Sequence, residues 1–293
     1  MGNLDLRPLS VGEILDRTFT LYRGHFVLFL GISAIPRILL LALNLAQLGF
    51  VMPGTMANIG KKTPTVPLWM QSPRAMITFF SLALVTAIIA LIAYLLSQGA
   101  AVFAVSEIYL GRTITMTEAF RRVFSRIGMM FGLMILNGLA IFAGLIFLII
   151  PGIYLICRLI VGLPAMLVED LGPTESMSRS FTLTQDNAGR AFLILLLYFA
   201  LSMAAAMLFA FPFEILMLTS LKNPQMMMIW AAIMQVGTFI GSVLVVPVLT
   251  ISSAILYFDL RVRKEAFDLQ VMMNPMGGPA QAPATGSLPT MLS

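Results

Sequence analysis

Long runs of apolar residues, separated by short polar segments, dominate this sequence. The run over residues 75–105 contains no charged side chain. A helix of about 20 apolar residues already crosses the roughly 30 Å hydrocarbon core of a bilayer. Similar runs cover 26–50 (interrupted by Pro36 and Arg37), 128–150, 153–168, 191–218 and 228–258. The pattern predicts an all-α, polytopic transmembrane bundle with six spans.

The overall composition excludes an ordinary soluble domain. Charged residues make up 11% of the chain and apolar residues 59%, whereas a soluble domain has about a quarter charged residues. We expect residues 1–268 to form one integral membrane domain. Residues 274–293 are mostly Pro, Gly, Ala and Ser. We expect them to form a disordered tail, because they offer little apolar surface to bury.

The distribution of lysine and arginine predicts the orientation. If the N-terminus is inside, the inner segments hold most of these residues, and the outer loops hold only Lys61, Lys62, Arg74 and Lys222. The positive-inside rule then places both termini in the cytoplasm. The net charge of +5 is also compatible with nucleic-acid binding, but basic cytoplasmic loops explain it more simply. We predict no nucleic-acid partner.

A short motif, here called the Glu–Arg–Phe motif, occurs three times with one spacing. Its copies are Glu13, Arg17 and Phe19; Glu118, Arg122 and Phe124; and Glu175, Arg179 and Phe181. Ser10 and Thr115 precede two of the glutamates by three residues, as in a capping box, and Gly172 with Pro173 begins the third copy. Glutamate four residues before arginine places opposite charges on one helical face. The motif therefore predicts short helices with a charged face.

Each copy of the motif precedes an odd-numbered span, on the side assigned to the cytoplasm. Apolar residues such as Ile14 and Leu15 leave the other helical face suited to a membrane interface. We therefore predict three interfacial amphipathic helices in a pseudo-repeat, with units of about 6–110, 112–170 and 171–265. The alternative is coincidence, since any helix beside a membrane benefits from a cap and a basic residue.

Arg37 and Arg158 are charged residues well inside apolar runs. An arginine at mid-membrane costs about 2.5–3.5 kcal/mol on insertion scales, so it usually faces a partner or a wet cavity. Both are candidates for binding lipid phosphates or acidic substrates. The alternative is structural: the side chains reach the interface or pair with backbone carbonyls.

Other polar and small residues in the spans favour helix packing over a site. Gly237 and Gly241 stand four residues apart, and residues 204–206 are three alanines. Such small residues let helices approach closely. Gln98 and Asn137 lie in mid-span and are expected to hydrogen-bond between helices.

The residues needed for catalysis are scarce. His25 is the single histidine and Cys157 the single cysteine. The sequence contains no phosphate-binding loop, dinucleotide-binding glycine pattern, HExxH or nucleophile elbow. Clustered methionines alone are weak support for a copper site. We predict no catalytic residue, no cofactor and no metal site.

Two segments resemble bacterial proteins of the glycerophosphoryl diester phosphodiesterase membrane domain family. They are residues 6–16 (LRPLSVGEILD) and 149–155 (IIPGIYL), the latter followed by Arg158, Pro164, Glu169 and Arg179. The resemblance covers most of residues 6–265 and implies a bacterial cytoplasmic (inner) membrane. Some members carry a soluble phosphodiesterase domain, which this sequence lacks, so the resemblance implies no activity here.

Three functions remain open at this point. A non-catalytic scaffold or regulatory subunit, contacting anionic lipids and a membrane-protein partner or a second copy of the chain, is slightly favoured. The alternative is a transporter or lipid-handling protein for phosphate-bearing substrates, and an enzyme is least favoured. A cavity lined by Arg37 or Arg158 and open to one leaflet would favour transport or lipid handling, whereas arginines fully paired in a tight bundle would favour the scaffold.

Overall fold

The computed structural model describes residues 9–56, 72–221 and 223–265, and all its regular elements there are helices. They are α1 (Val11–Gly24), α2 (Phe26–Met56), α3 (Pro73–Tyr109), α4 (Met116–Phe124), α5 (Ile127–Phe147), α6 (Ile149–Leu159), α7 (Gly162–Glu169), α8 (Pro173–Thr184), α9 (Ala188–Phe209), α10 (Phe211–Thr219) and α11 (Pro224–Glu265). The expected tail 274–293, and Lys61, Lys62 and Lys222, lie outside the described residues.

Six helical segments are long and apolar enough to cross a membrane. They are Phe26–Gly49, Pro73–Tyr109, Ile127–Phe147, Ile149–Glu169, Ala188–Phe209 and Gln225–Glu265. The predicted all-α, six-span architecture is therefore confirmed, and the chain has the features of a multi-pass membrane protein. Helices α6 and α7 together form the fourth span. Its apolar run, 153–168, is the shortest of the six that the sequence predicted.

The turn between the third and fourth spans was predicted wrongly. The predicted runs 128–150 and 153–168 place it between them, at Pro151 and Gly152, but the chain turns at Leu148, whose backbone is extended (φ −168°, ψ 153°). Pro151 lies in the first turn of α6, where a missing N–H breaks no helical hydrogen bond. A Cβ on Gly152 would clash with the side chain of Leu145 on α5. Gly152 thus permits the close α5–α6 hairpin.

Two further runs differ from the predicted single helices. The fifth divides at Ala210 into α9 and α10, and the fourth divides near Val161 into α6 and α7. Pro212 and Pro164 each lie in the first turn of the second segment, where proline is tolerated. By contrast, α2 continues through Pro36, which the sequence suggested as an interruption.

The small residues pack α9 against α11, as predicted. A Cβ on Gly241 would lie 3.4 Å from that of Ala205, and one on Gly237 would overlap the carbonyl oxygen of Phe209. Gln98 also connects helices as expected, because its Oε1 accepts a hydrogen bond from Thr250 of α11. Asn137 differs, since its Oδ1 is buried and has no partner among the described residues.

The three short helices α1, α4 and α8 form where the motif predicted them. The Ser10 hydroxyl accepts from the N–H of Glu13 at 3.3 Å, and Thr115 accepts from Glu118 at 3.3 Å. In the third copy the Glu175 carboxylate accepts from the N–H of Gly172 at 3.0 Å. Capping therefore fixes the beginning of each short helix.

The most continuous core lies at the end of the bundle that holds these short helices. Buried residues include Ile14 of α1, Val123 of α4 and Leu183 of α8. They form one cluster with the final turns of α3 and α11, where the rings of Tyr109 and Phe258 stack 4.7 Å apart. The opposite parts of the spans expose many large apolar side chains, which suits contact with lipid.

Candidate functional site

Arg37 lies midway along the candidate span Phe26–Gly49, and its described partners are neutral. Its Nη1 donates to the carbonyl of Ser33 at 3.0 Å and to the hydroxyl of Ser97, on α3, at 3.3 Å. Among the described residues no carboxylate forms an ion pair with it. The charge is therefore held by dipoles and not by an opposite charge.

A cavity of about 140 Å³ lies beside Arg37, between α2 and α11. Arg37, Leu41 and Asn44 follow at helical spacing on one face of α2, and Gln235, Thr238 and Ser242 do the same on α11. Leu40 and Phe239 complete the lining, and we call this space the Arg37 cavity. The two helix faces thus bring an arginine, two amides and two hydroxyls together within the membrane segments.

The amide groups that line the Arg37 cavity belong to Asn44 and Gln235. Neither Asn44 nor Gln235 makes a hydrogen bond within the described part of the chain. The Thr238 hydroxyl donates to Met234 at 2.8 Å, and Ser242 donates to Phe239 at 2.8 Å. The two hydroxyl oxygens can still accept a hydrogen bond. Because an unpaired amide in an apolar medium costs several kcal/mol, these groups favour a polar occupant.

Arg158 has a different environment, in which a structural role explains its position. Its Nη2 donates to the carbonyl of Phe181 at 2.7 Å and its Nη1 to Tyr154 at 3.3 Å. Lys264 donates to the next carbonyl, that of Thr182, at 2.8 Å. Two cations thus cap the C-terminal end of α8, where the helix dipole attracts positive charge. This geometry matches the alternative of pairing with backbone carbonyls.

The environment of Arg158 is further fixed by packing. The guanidinium lies over the rings of Tyr154 and Phe181, at 5.6 and 5.3 Å from their centroids. Ser180 donates to the carbonyl oxygen of Arg158 at 2.7 Å. The Nε of Arg158 is buried with no partner among the described residues. The motif residue Phe181 therefore supports Arg158 through both its ring and its backbone.

The arginines of the Glu–Arg–Phe motif face the bundle. Arg122 pairs with Glu118, the predicted partner four residues earlier, at 3.1 Å, and with Glu107 of α3 at 2.6 Å. The hydrogen bond that Arg122 donates to the Glu107 carboxylate raises the pKa of Arg122. Arg17 interacts with the hydroxyl of Tyr109 on the same helix α3. Two of the motif arginines thus connect a short helix to α3.

The third copy uses its arginine differently. Arg179 is bidentate to Glu169, with Nε–Oε2 at 2.8 Å and Nη2–Oε1 at 3.0 Å, and it also pairs with Glu265. Glu175 instead caps its own helix at Gly172, so the expected pair of Glu175 with Arg179 is absent among the described residues.

The aromatic positions of the motif are not equivalent. Phe19 is half-buried against the core, whereas Phe124 is 61% exposed. Phe181 packs under the guanidinium of Arg158. The charged residues of the motif therefore have related roles in packing, while its phenylalanines do not.

A buried carboxylate at the end of α11 was missed by the sequence reasoning. The side chain of Asp259 is fully buried and accepts from the backbone N–H of Leu9 at 2.6 Å. Arg190 and Arg263 pair with it at 3.1 and 2.9 Å. Both arginines also donate to the Leu9 carbonyl. The alternating charges over residues 259–265 could have indicated a carboxylate paired with arginines. The sequence analysis used only the basic residues of this segment, to predict the orientation.

The described residues contain no group of three or more His, Cys, Asp or Glu side chains that could hold a metal ion. No protein-family model, curated protein or solved structure matches the chain. The resemblance to the glycerophosphoryl diester phosphodiesterase membrane domain family therefore stays a prediction.

Proposed function

We propose that this protein binds and handles phosphate-bearing amphiphiles, with the phosphate in the Arg37 cavity. The observation that supports this function is the combination of Arg37, which has only neutral described partners, with the amides of Asn44 and Gln235, which have no hydrogen-bond partner among the described residues. The sequence alone slightly favoured the scaffold over lipid handling, so this proposal reverses that order. The lipid-handling alternative expected a cavity that is lined by this arginine and open to one leaflet, and the Arg37 cavity supports the first part of that expectation.

The energetics favour an anionic occupant. An arginine in mid-span costs about 2.5–3.5 kcal/mol on insertion scales, and a phosphate offsets this cost by charge-assisted hydrogen bonds. The planar guanidinium can bind two phosphate oxygens at once. The exposed side chains of Ile38 and Leu39 lie beside this part of α2. They provide an apolar surface for the acyl chains of a bound lipid.

Comparison with the other arginines supports the choice of Arg37. Within the described part of the chain, the arginines that form ion pairs with carboxylates include Arg112, Arg122, Arg126, Arg179, Arg190, Arg261 and Arg263. Their charges are already compensated inside the protein. Arg158 caps α8, so its charge has a structural use. Arg37 combines a charge that no described carboxylate compensates with an adjacent polar cavity.

The scaffold remains a second candidate, and one observation favours it. Ion pairs connect the short helices α4 and α8 to the ends of α3, α7 and α11. Such a connected charged end is a suitable docking surface for a membrane-protein partner or a second copy of the chain.

Both functions are non-catalytic and compatible with a bacterial cytoplasmic membrane and cytoplasmic termini. Labelling of single cysteines in intact cells tests that orientation.

The experiment that tests the proposed function compares bound lipids. We would purify the parent, Arg37→Gln and Arg121→Gln proteins in mild detergent and record native mass spectra. Arg121 is exposed on α4, so its variant removes one positive charge without altering the cavity. We expect a phospholipid retained by the parent and Arg121→Gln and lost from Arg37→Gln. Equal retention by all three proteins would exclude the Arg37 cavity as the lipid site.

A further inference from the structure

The lining of the Arg37 cavity indicates which headgroup it accepts. We infer that the cavity selects an anionic phosphate headgroup with hydroxyl groups, of the phosphoglycerol type, over a headgroup with an amine. This inference rests on the proposed function, because it specifies the ligand of the same site. It follows from the size of the cavity, its charge and the hydrogen-bonding capacity of its polar groups.

The size of the cavity limits the occupant to a headgroup. Its volume is about 140 Å³, whereas pockets for drug-sized ligands measure about 300–1,000 Å³. A complete lipid therefore does not fit inside. Exposed apolar side chains such as Ile38, Leu39 and Ile240 lie on other faces of α2 and α11, so acyl chains can lie along these helices outside the cavity. The polar lining then contacts the phosphate and the group attached to it.

The charge of the lining disfavours an amine. Among the described residues that line the cavity, Arg37 is the charged one and none is a carboxylate. An ammonium group attached to the bound phosphate would therefore lie near a positive charge, in a site with no anion of its own. Like charges juxtaposed in such a site are strongly unfavourable. A neutral alcohol on the phosphate avoids this repulsion.

The neutral groups of the lining match hydroxyl groups. Asn44 and Gln235 each provide an N–H₂ donor and a carbonyl acceptor. Thr238 and Ser242 use their protons within α11, so their oxygens act as acceptors toward a ligand. A vicinal diol both donates and accepts, and it can satisfy an amide and a hydroxyl together. If the phosphate binds Arg37 and the diol binds the amides and hydroxyls, every polar group of the described lining has a partner on the ligand.

The test is a lipid competition with matched acyl chains. Delipidated protein in detergent receives equimolar phosphatidylglycerol, phosphatidylethanolamine and phosphatidic acid, and native mass spectrometry measures the bound fraction of each. We expect the parent to retain phosphatidylglycerol at least about tenfold over phosphatidylethanolamine. Phosphatidic acid, which has the phosphate without the diol, is expected in between.

Variants separate the contributions of charge and hydroxyl recognition. We expect Asn44→Leu and Gln235→Leu to lose the preference for phosphatidylglycerol over phosphatidic acid and to keep binding anionic lipid. Gln47→Leu is the matched control, because Gln47 lies on the same helix but bonds to Leu82 and Thr86 of α3. We expect it to behave as the parent. Thermal unfolding of each variant identifies any that fails to fold, and Arg37→Met, which also removes the charge, then replaces Arg37→Gln.

The outcomes distinguish the inference from the proposed function. Equal binding of phosphatidylglycerol and phosphatidylethanolamine, with both lost in Arg37→Gln, overturns the headgroup selectivity and leaves the lipid site intact. Phosphatidic acid equal to phosphatidylglycerol in the parent overturns the recognition of hydroxyl groups. Lipid binding that does not depend on Arg37 overturns the proposed function itself.

Discussion

Arg179 and Glu169 form a bidentate ion pair that joins α8 to α7, with donor–acceptor distances of 2.8 and 3.0 Å. Glu169 also accepts from the hydroxyl of Tyr257 at 2.7 Å and lies 3.5 Å from Arg261, both on α11. One carboxylate thus connects three helices at the charged end of the bundle. The side chain of Glu169 is only 16% exposed and that of Arg179 only 23%.

Glu169→Gln is expected to destabilise the fold by about 2–3 kcal/mol. Breaking a fully buried ion pair costs about 3–5 kcal/mol, and the partial exposure of this pair reduces the loss. The shift of the unfolding midpoint in a denaturing-detergent titration measures it. Glu118→Gln is the control, because it removes an exposed pair with Arg122 worth about 0.3–0.5 kcal/mol. Equal shifts for both variants would contradict the role of Glu169.

Asp259→Asn is expected to release the beginning of the described chain. Asp259 holds the N–H of Leu9, and it orients Arg190 and Arg263 toward the Leu9 carbonyl. We expect faster amide hydrogen exchange at Leu9 and in the first turn of α1. Asp16→Asn, at an exposed position on α1, should leave this exchange unchanged. Unaltered exchange in Asp259→Asn would show that other contacts hold the segment.

Arg158→Leu is expected to loosen the end of α8 without affecting lipid binding. The substitution removes the hydrogen bond to the carbonyl of Phe181, and loss of such a cap costs about 1 kcal/mol. Hydrogen exchange should increase in the last turn of α8, while native mass spectra should show the lipid of the parent. Lipid loss equal to that of Arg37→Gln, with α8 unchanged, would reverse the roles of the two arginines.

Gly237→Ala is expected to destabilise the contact between α9 and α11. A Cβ at this position overlaps the carbonyl oxygen of Phe209, and overpacking of this kind costs about 1–3 kcal/mol. Gly138→Ala is the control, because a Cβ on Gly138 has open space around it and alanine favours a helix by about 1 kcal/mol. A lowered unfolding midpoint for Gly237→Ala and an unchanged or raised one for Gly138→Ala is the expected result.

Much of the fold could be predicted from the sequence, because its features are local. Apolar length predicts the six spans, and the caps at Ser10 and Thr115 predict the beginnings of two short helices. The turn at Leu148 and the break at Ala210 could not be predicted in this way. Proline next to an apolar run indicates a discontinuity but not on which side of it the helix ends, since proline is tolerated in a first turn.

The candidate site was predictable only in part. Arg37 was identified because a charge in an apolar run is costly. The polar residues Asn44 and Gln235, which are far apart in the sequence, come together only through the packing of α2 against α11. The same holds for Leu9 and Asp259, whose contact joins the two ends of the described chain. Such long-range pairs depend on tertiary packing and have no local sequence signal.

Photo-crosslinking tests the binding of a phosphate headgroup in the Arg37 cavity most directly. A phosphatidylglycerol with a photoreactive diazirine in its headgroup would be bound to the parent protein, irradiated and mapped by peptide mass spectrometry. If the headgroup binds in the Arg37 cavity, we expect crosslinks at the cavity lining on α2 and α11, near Asn44 and Gln235. These crosslinks should disappear in Arg37→Gln. Crosslinks scattered over the apolar surface, and unchanged in that variant, would contradict it.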